Sequence, residues 1–295
     1  MSYSLDVKSE ICGNFESRSC CRKALLNSAF CFFNTVNQNK IQFKTTSYTT
    51  AFYLFALTRE TFGVSFELLR KKDSFILSLE DPEKIKELTE KAGMVNNTTN
   101  MIQCVLNGSF SIDECCRRAA VRGAFLASGY IADPKKSYHF EITSHRQRLL
   151  NQINDLLITL DIEPKIIKRG TKYVLYLKEK EQISDSLNII NATKMYFRFQ
   201  EVTVEKEIIN ELNRKQNFEQ ANLDKTLNVS VKQCEAIKNI IDSGNFDSLD
   251  ESLKEIAILR LENPDASLNE LAALTKDKIS RSGVNHRLKK LMDKV

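Results

Sequence analysis

The most reactive groups in this 295-residue sequence are eight cysteines, three histidines and a block of bases near its end. The cysteines stand at Cys12, Cys20, Cys21, Cys31, Cys104, Cys115, Cys116 and Cys234, and no two are spaced as C-x-x-C. Zinc and thiol-redox motifs use that spacing because it brings two sulfurs on one turn to a common point. Two adjacent cysteines on a helix project to different sides. The dyads Cys20-Cys21 and Cys115-Cys116 are therefore expected to be buried structural thiols, with zinc as the alternative reading and no metal or other cofactor expected. The histidines, His139, His145 and His286, have no nucleophile partner in evidence, and the chain has no Walker loop, G-x-G-x-x-G, H-E-x-x-H or G-x-S-x-G. No catalytic residue is expected.

The bases are a different matter. Residues 276–295 hold seven, Lys276, Lys278, Arg281, Arg287, Lys289, Lys290 and Lys294, against two acids, Asp277 and Asp293. Their balance equals the net charge of the whole chain, +5, so residues 1–275 are neutral overall. A positive block of this kind suits a nucleic-acid backbone.

Helical periodicity positions it. Leu253, Ile256, Ala257, Leu259, Arg260 and Leu261 mark a helix that Asn263-Pro264 must end. Ser267 with Glu270 reads as a capping box opening a second helix with Leu268, Leu271 and Leu274. After a short connection, residues 280–292 form a third, in which Val284, Leu288 and Leu291 share one face. The opposite face carries Arg281, Ser282, Asn285, Arg287, Lys289 and Lys290, with His286 in the same DNA-binding set. A helix-turn-helix needs this order, with donors near the start of the recognition helix. Arg281 suits guanine O6 and N7, Asn285 suits adenine N6 and N7, and Arg287, Lys289 and Lys290 suit phosphates. A three-helix bundle with a basic outer face is the plainer alternative.

The front of the chain is a duplication. Cys20-Cys21-Arg22-Lys23-Ala24 recurs 95 residues later as Cys115-Cys116-Arg117-Arg118-Ala119, and Ala29-Phe30 recurs as Ala124-Phe125. Each copy reads as a helix (from Ser19, or from Ser111 with Glu114 as a capping box), a strand (40–47 or 137–144) and a second helix (49–61 or 146–160). A hairpin follows, turning at Lys71-Lys72 or Arg169-Gly170, and then a last helix. Small residues on the first helices, Ser28 and Ala29 against Gly123, Ala124 and Ala127, suit close packing of the two copies. The outward strand positions Lys40, Lys44, Lys136, Lys165 and Lys172 offer a secondary DNA surface, weakened by Glu141 among them. Residues 205–226, rich in Asn, Gln and charge, read as a linker that includes the string ANLDKT (221–226), with another helix over 227–243.

This arrangement resembles a LAGLIDADG homing endonuclease. With its tail, the chain is similar to the WhiA family of bacterial transcription regulators, on the strings CCRRAAVRGAFLASGYIADP (115–134), ANLDKT and SLNELAALTKDKISRSGVNHRLKKL (267–291). FCFFNTVN (30–37) departs from the family in lacking the glycine that usually closes the first helix. The resemblance implies an α+β fold: a duplicated αββαββα-type domain over 1–204 (halves about 1–100 and 101–204), then an all-α helix-turn-helix domain over 227–295. An active nuclease of the LAGLIDADG type holds Mg²⁺ with an acid at the foot of each central helix. Phe33 and Ser128 stand at those positions here, and the nearest acid is Asp133, in a turn beyond.

The expected function is sequence-specific, double-stranded DNA binding in transcription control linked to cell division, chromosome segregation or sporulation. A metal-dependent DNA endonuclease is the alternative. A second transcription regulator or RNA polymerase is the expected protein partner, and the chain is expected to be monomeric. No apolar stretch reaches the length of a membrane span, and residues 1–14 do not read as a leader, so a cytoplasmic, nucleoid-associated protein is expected.

Overall fold

Each copy of the repeat folds as helix, two strands, helix, two strands, helix. In the computed structural model, which describes residues 2–96, 98–99, 101–108 and 113–294, the first copy comprises α2 (Ser19–Cys31), β1 (Thr35–Val36), β2 (Ile41–Thr45), α3 (Tyr48–Phe62), β3 (Glu67–Lys71), β4 (Ser74–Leu79) and α4 (Pro82–Lys91). The second comprises α5 (Glu114–Ser128), β5 (Gly129–Ile131), β6 (Phe140–Ser144), α6 (Gln147–Ile158), β7 (Lys165–Arg169), β8 (Lys172–Leu177) and α7 (Lys180–Ile189). Both sheets are antiparallel, ordered β1-β2-β4-β3 and β5-β6-β8-β7. The alternation that marks β2 and β6 does what it should, burying Ile41 and Phe43, or Phe140 and Ile142, against the helices.

The short strands β1 and β5 and an opening helix, α1 (Tyr3–Gly13), have no counterpart in the sequence reading. Both hairpins turn one residue later than composition suggests, at Lys72-Asp73 and Gly170-Thr171, where Lys72 and Gly170 take left-handed φ values of 50° and 59°. Ser111 lies outside the described residues. Helix α5 starts at Glu114 with Asp113 as its N-cap, so Glu114 stands in the first turn instead of closing a capping box.

Helices α2 and α5 pair along their small residues. Gly123 faces the backbone of Leu25 and Ala29 with no room for a side chain, and Ala24, Ala29, Ala120 and Ala124 are buried around it. Their first turns also bring together the two cysteine dyads. Cys20 is exposed and Cys115 half-buried, which corrects the expectation of four buried thiols projecting apart. Both helices begin at the same height, so the two dyads meet end to end.

The chain divides into two compact units, Met1–Lys206 and Glu207–Val295. Helix α8 (Thr193–Asp242) is 50 residues long and continuous through 205–226, so the segment read as a linker is helical. It contains neither glycine nor proline, and its polar composition reflects exposure of one turn after another. Helices α9 (Glu251–Glu262), α10 (Leu268–Leu274) and α11 (Arg281–Met292) complete the second unit. Among the described residues, no helix is long and apolar enough to cross a membrane.

Candidate nucleic-acid interface

The second unit has its own core. Ile237 and Ile240 of α8, Leu253, Ile256 and Ala257 of α9, and Leu271 of α10 enclose Val284, Leu288 and Leu291 of α11. Three local devices fix the approach to α11. The Arg260 guanidinium, buried at 2% exposure, donates to the carbonyl oxygens of Ala266 (2.7 Å) and Pro264 (3.3 Å), holding the turn that follows α9. Ser267 and Glu270 form the anticipated capping box, Glu270 N donating to the Ser267 hydroxyl and Ser267 N to the Glu270 carboxylate. In the turn between α10 and α11, Lys276 N donates to the Glu255 carboxylate (2.7 Å) and Lys278 takes a left-handed φ of 45°. The Ser280 hydroxyl then caps α11, accepting from Gly283 N at 3.2 Å.

With its apolar side committed inward, α11 leaves Arg281, Ser282, Asn285, His286, Lys289 and Lys290 exposed. Arg287 differs: it is half-buried, donating to the Ser252 carbonyl oxygen (3.5 Å) and lying 3.8 Å from the Glu255 carboxylate. Arg281 and Asn285, one helical turn apart, share a groove of about 440 Å³ with Lys225 and Thr226 of α8 and with Ser267 and Asn269 at the start of α10. Lys225 and Thr226 end the ANLDKT string, part of the segment read as a linker. Asn269 was missed, since nothing in its local pattern separates it from an ordinary exposed first-turn residue.

In the first unit, the feet of α2 and α5 meet at a cavity of about 330 Å³ lined by both Phe33 and Ser128, with Asn34, Thr143, Arg146 and Lys172 beside them. No carboxylate is among its described lining residues. The Phe33 ring stacks on Phe43 (centroids 4.6 Å apart), and the Ser128 hydroxyl donates to the Ala124 carbonyl oxygen at 3.3 Å. The Asp133 carboxylate is engaged in its own turn, accepting from Lys135 N at 2.9 Å. A hard divalent cation takes oxygen ligands, several of them charged, and these residues do not fit one.

The lysines of the expected secondary surface differ in their surroundings. Lys40 is 2.7 Å from Glu80 in an ion pair, whereas Lys44, Lys136, Lys165 and Lys172 are exposed. Glu141 is held by His139 (2.9 Å) and by Arg169 (3.3 Å), which removes its opposition to them.

Comparison with known proteins agrees with this division of the chain. The WhiA LAGLIDADG-like domain matches residues 25–108 and 117–209, and the WhiA C-terminal HTH domain matches residues 212–294. The chain belongs to the WhiA family. "Probable cell division protein WhiA" of Clostridium botulinum is 36% identical over 304 residues, covering 99% of this chain and 96% of the relative. The protein of the same name in Ruminiclostridium cellulolyticum is 37% identical over 302 residues, with 99% and 96% covered. Full-length WhiA from Thermotoga maritima, a solved structure, superposes with a TM-score of 0.60 at 22% identity, covering 99% of this chain and 97% of that one. The WhiA fold is thus a duplicated LAGLIDADG-like α+β unit joined in sequence to a helical unit with a helix-turn-helix.

Proposed function

We propose that this chain is a site-specific double-stranded DNA-binding regulator of transcription, acting in cell division, chromosome segregation or sporulation, and that it does not cut DNA. The observation that carries the reading is the groove in which Arg281 and Asn285, two side chains suited to base edges, lie beside Lys225 and Thr226. Lys289 and Lys290 extend the positive charge along α11 for phosphate contact. The duplicated unit adds weaker DNA contacts through Lys44, Lys136, Lys165 and Lys172, or a surface for a second regulator or RNA polymerase. Aromatic and hydroxyl groups at Phe33 and Ser128 support the absence of nuclease chemistry, and the names of the relatives support the link to cell division.

Genome-wide immunoprecipitation of the full-length protein and its Arg281→Ala variant tests this. Discrete sites lost in the variant are expected, and no enrichment above background for the wild type would overturn it. Supercoiled plasmid incubated with the protein in Mg²⁺ or Mn²⁺ is expected to stay intact. Nicking that disappears in Asp133→Ala would favour the endonuclease.

A further inference from the structure

The two cysteine dyads are 95 residues apart in sequence and meet in space. The Sγ atoms of Cys20, Cys21, Cys115 and Cys116 all lie within 4.8 Å of one another, those of Cys20 and Cys21 at 3.9 Å. Tetrahedral Zn²⁺ with bonds of about 2.3 Å to four sulfurs requires sulfur–sulfur distances of about 3.8 Å. The four thiols are therefore within small side-chain rotations of a closed ZnS₄ site. From the geometry we infer that Cys20, Cys21, Cys115 and Cys116 form a structural tetrathiolate zinc site that joins the first turns of α2 and α5.

The surroundings suit the charge such a site carries. Four thiolates around one dication leave two net negative charges, which need donors and positive potential close by. Neither α2 nor α5 has a side-chain hydrogen bond at its N-cap, and all four cysteines stand in the first turns, where the positive ends of the helix dipoles lie. The Arg18 guanidinium lies close to Cys115, Cys20 and Cys21. Cys20 and Cys115 line an open depression with Arg18, Asp113, Glu114 and Arg118, which gives an ion a path from solvent; Arg118 is paired with Glu114 at 2.8 Å, so Arg18 is the cation that faces the sulfurs.

Adjacent cysteines on one helix make a poor metal site because their side chains diverge by about a quarter turn around the axis. Two helices side by side change this. Each contributes two adjacent thiols, and the four sulfurs come within 4.8 Å of one another, close enough for one ion to gather them. The duplication supplies both pairs, and the close approach at Gly123 sets their spacing.

The test is the metal content of the full-length protein, purified without oxygen in a reductant that does not bind zinc. About one zinc per chain is expected. Refolding or exchange with Co²⁺ should give the sulfur-to-cobalt charge-transfer band and the intense visible bands of tetrahedral thiolate cobalt. In Cys20→Ser/Cys115→Ser, which leaves the buried thiols in place, zinc should fall below about a tenth per chain, while Cys234→Ser should keep it. Wild-type protein with less than about a tenth of a zinc per chain and no cobalt spectrum would overturn the site, whether its thiols are then free or joined as two disulfides. Full zinc retention by the double variant would overturn the ligand assignment. The wild-type measurement decides even if that variant fails to fold.

Discussion

A Cβ placed on Gly123 would sit 2.1 Å from the carbonyl oxygen of Leu25, so the two central helices touch backbone to backbone. Replacing a helix-interior glycine by alanine ordinarily gains about 1 kcal/mol of helix propensity. Here the obstacle is a main-chain oxygen that no rotamer change can move, and the clash outweighs that gain. Gly123→Ala is expected to destabilise the first unit by about 1 to 3 kcal/mol. Gly13→Ala, at a position with nothing within 4 Å of its Cβ, should be near neutral. Thermal or urea unfolding of the two variants checks the contrast, and equal midpoints would remove the packing argument.

DNA binding separates Arg281 from Lys290. Arg281 lies in the groove and is expected to read a base, so Arg281→Ala should cost about 1 to 3 kcal/mol at a specific site and much less on random DNA. Lys290→Ala should weaken all sequences alike and lower the salt slope by about one unit. Equal losses on specific and random DNA for Arg281→Ala would take away its reading role. Arg287→Ala, by comparison, removes contacts to α9 and should lower stability as well as affinity.

Arg260 gives a prediction on stability alone. Its guanidinium serves the carbonyl oxygens of Pro264 and Ala266 while almost fully buried, and burial lowers its pKa. Arg260→Met keeps the volume but strands those acceptors, so a loss of about 1 to 3 kcal/mol is expected in the second unit. Unchanged unfolding would show that the turn after α9 does not need the arginine.

A pH dependence follows from Lys8, whose ammonium donates to the Leu126 carbonyl oxygen (3.3 Å) and lies 5.6 Å from the centre of the Phe125 ring. Burial pushes its pKa down from 10.5 to about 8. A base whose folded pKa lies below its unfolded one destabilises the fold while charged in both states. That cost is fully present below about pH 8 and fades as pH rises toward 10.5. Lys8→Met should therefore be the more stable protein at pH 7 by about 1 to 2 kcal/mol, a figure reduced for partial exposure and the lost hydrogen bond. The difference should shrink by pH 10. A gap that stays constant or widens between pH 7 and 10 would contradict this.

Much of the fold is legible where the signal is local or repeated. The offset of 95 between the dyads aligns both copies, and alternation at Ile41 and Phe43 or at Phe140 and Ile142 finds their central strands. Ser267 and Glu270 place the cap of α10 correctly because capping depends on residues three apart, whereas Ser280, read as the first residue of the last helix, is its N-cap. What escaped depends on partners distant in sequence. Helix α1 is fixed by residues more than 180 positions away: the Tyr3 hydroxyl donates to the Met195 carbonyl oxygen, and the Glu10 carboxylate accepts from Lys194 N and Met195 N at the start of α8. Strands β1 and β5, of two and three residues, are too short to show a period. The long exposed stretch of α8 has no buried face to mark its helical period. The meeting of the four cysteines requires knowing that two helices start at the same height, which composition and spacing do not encode.

Fusing the two copies into one chain has a consequence of its own. A symmetric dimer must present the same residue twice about its axis, so any change at one helix foot appears at the other. Within a single chain the two feet have separate histories, and here one ends in the phenyl ring of Phe33 and the other in the hydroxyl of Ser128. A ligand at that end meets one greasy wall and one polar wall, and two equivalent halves cannot both be satisfied there. Directionality is thus inherent in the unit: a ligand with distinguishable ends that docks at the feet of α2 and α5 has two inequivalent orientations.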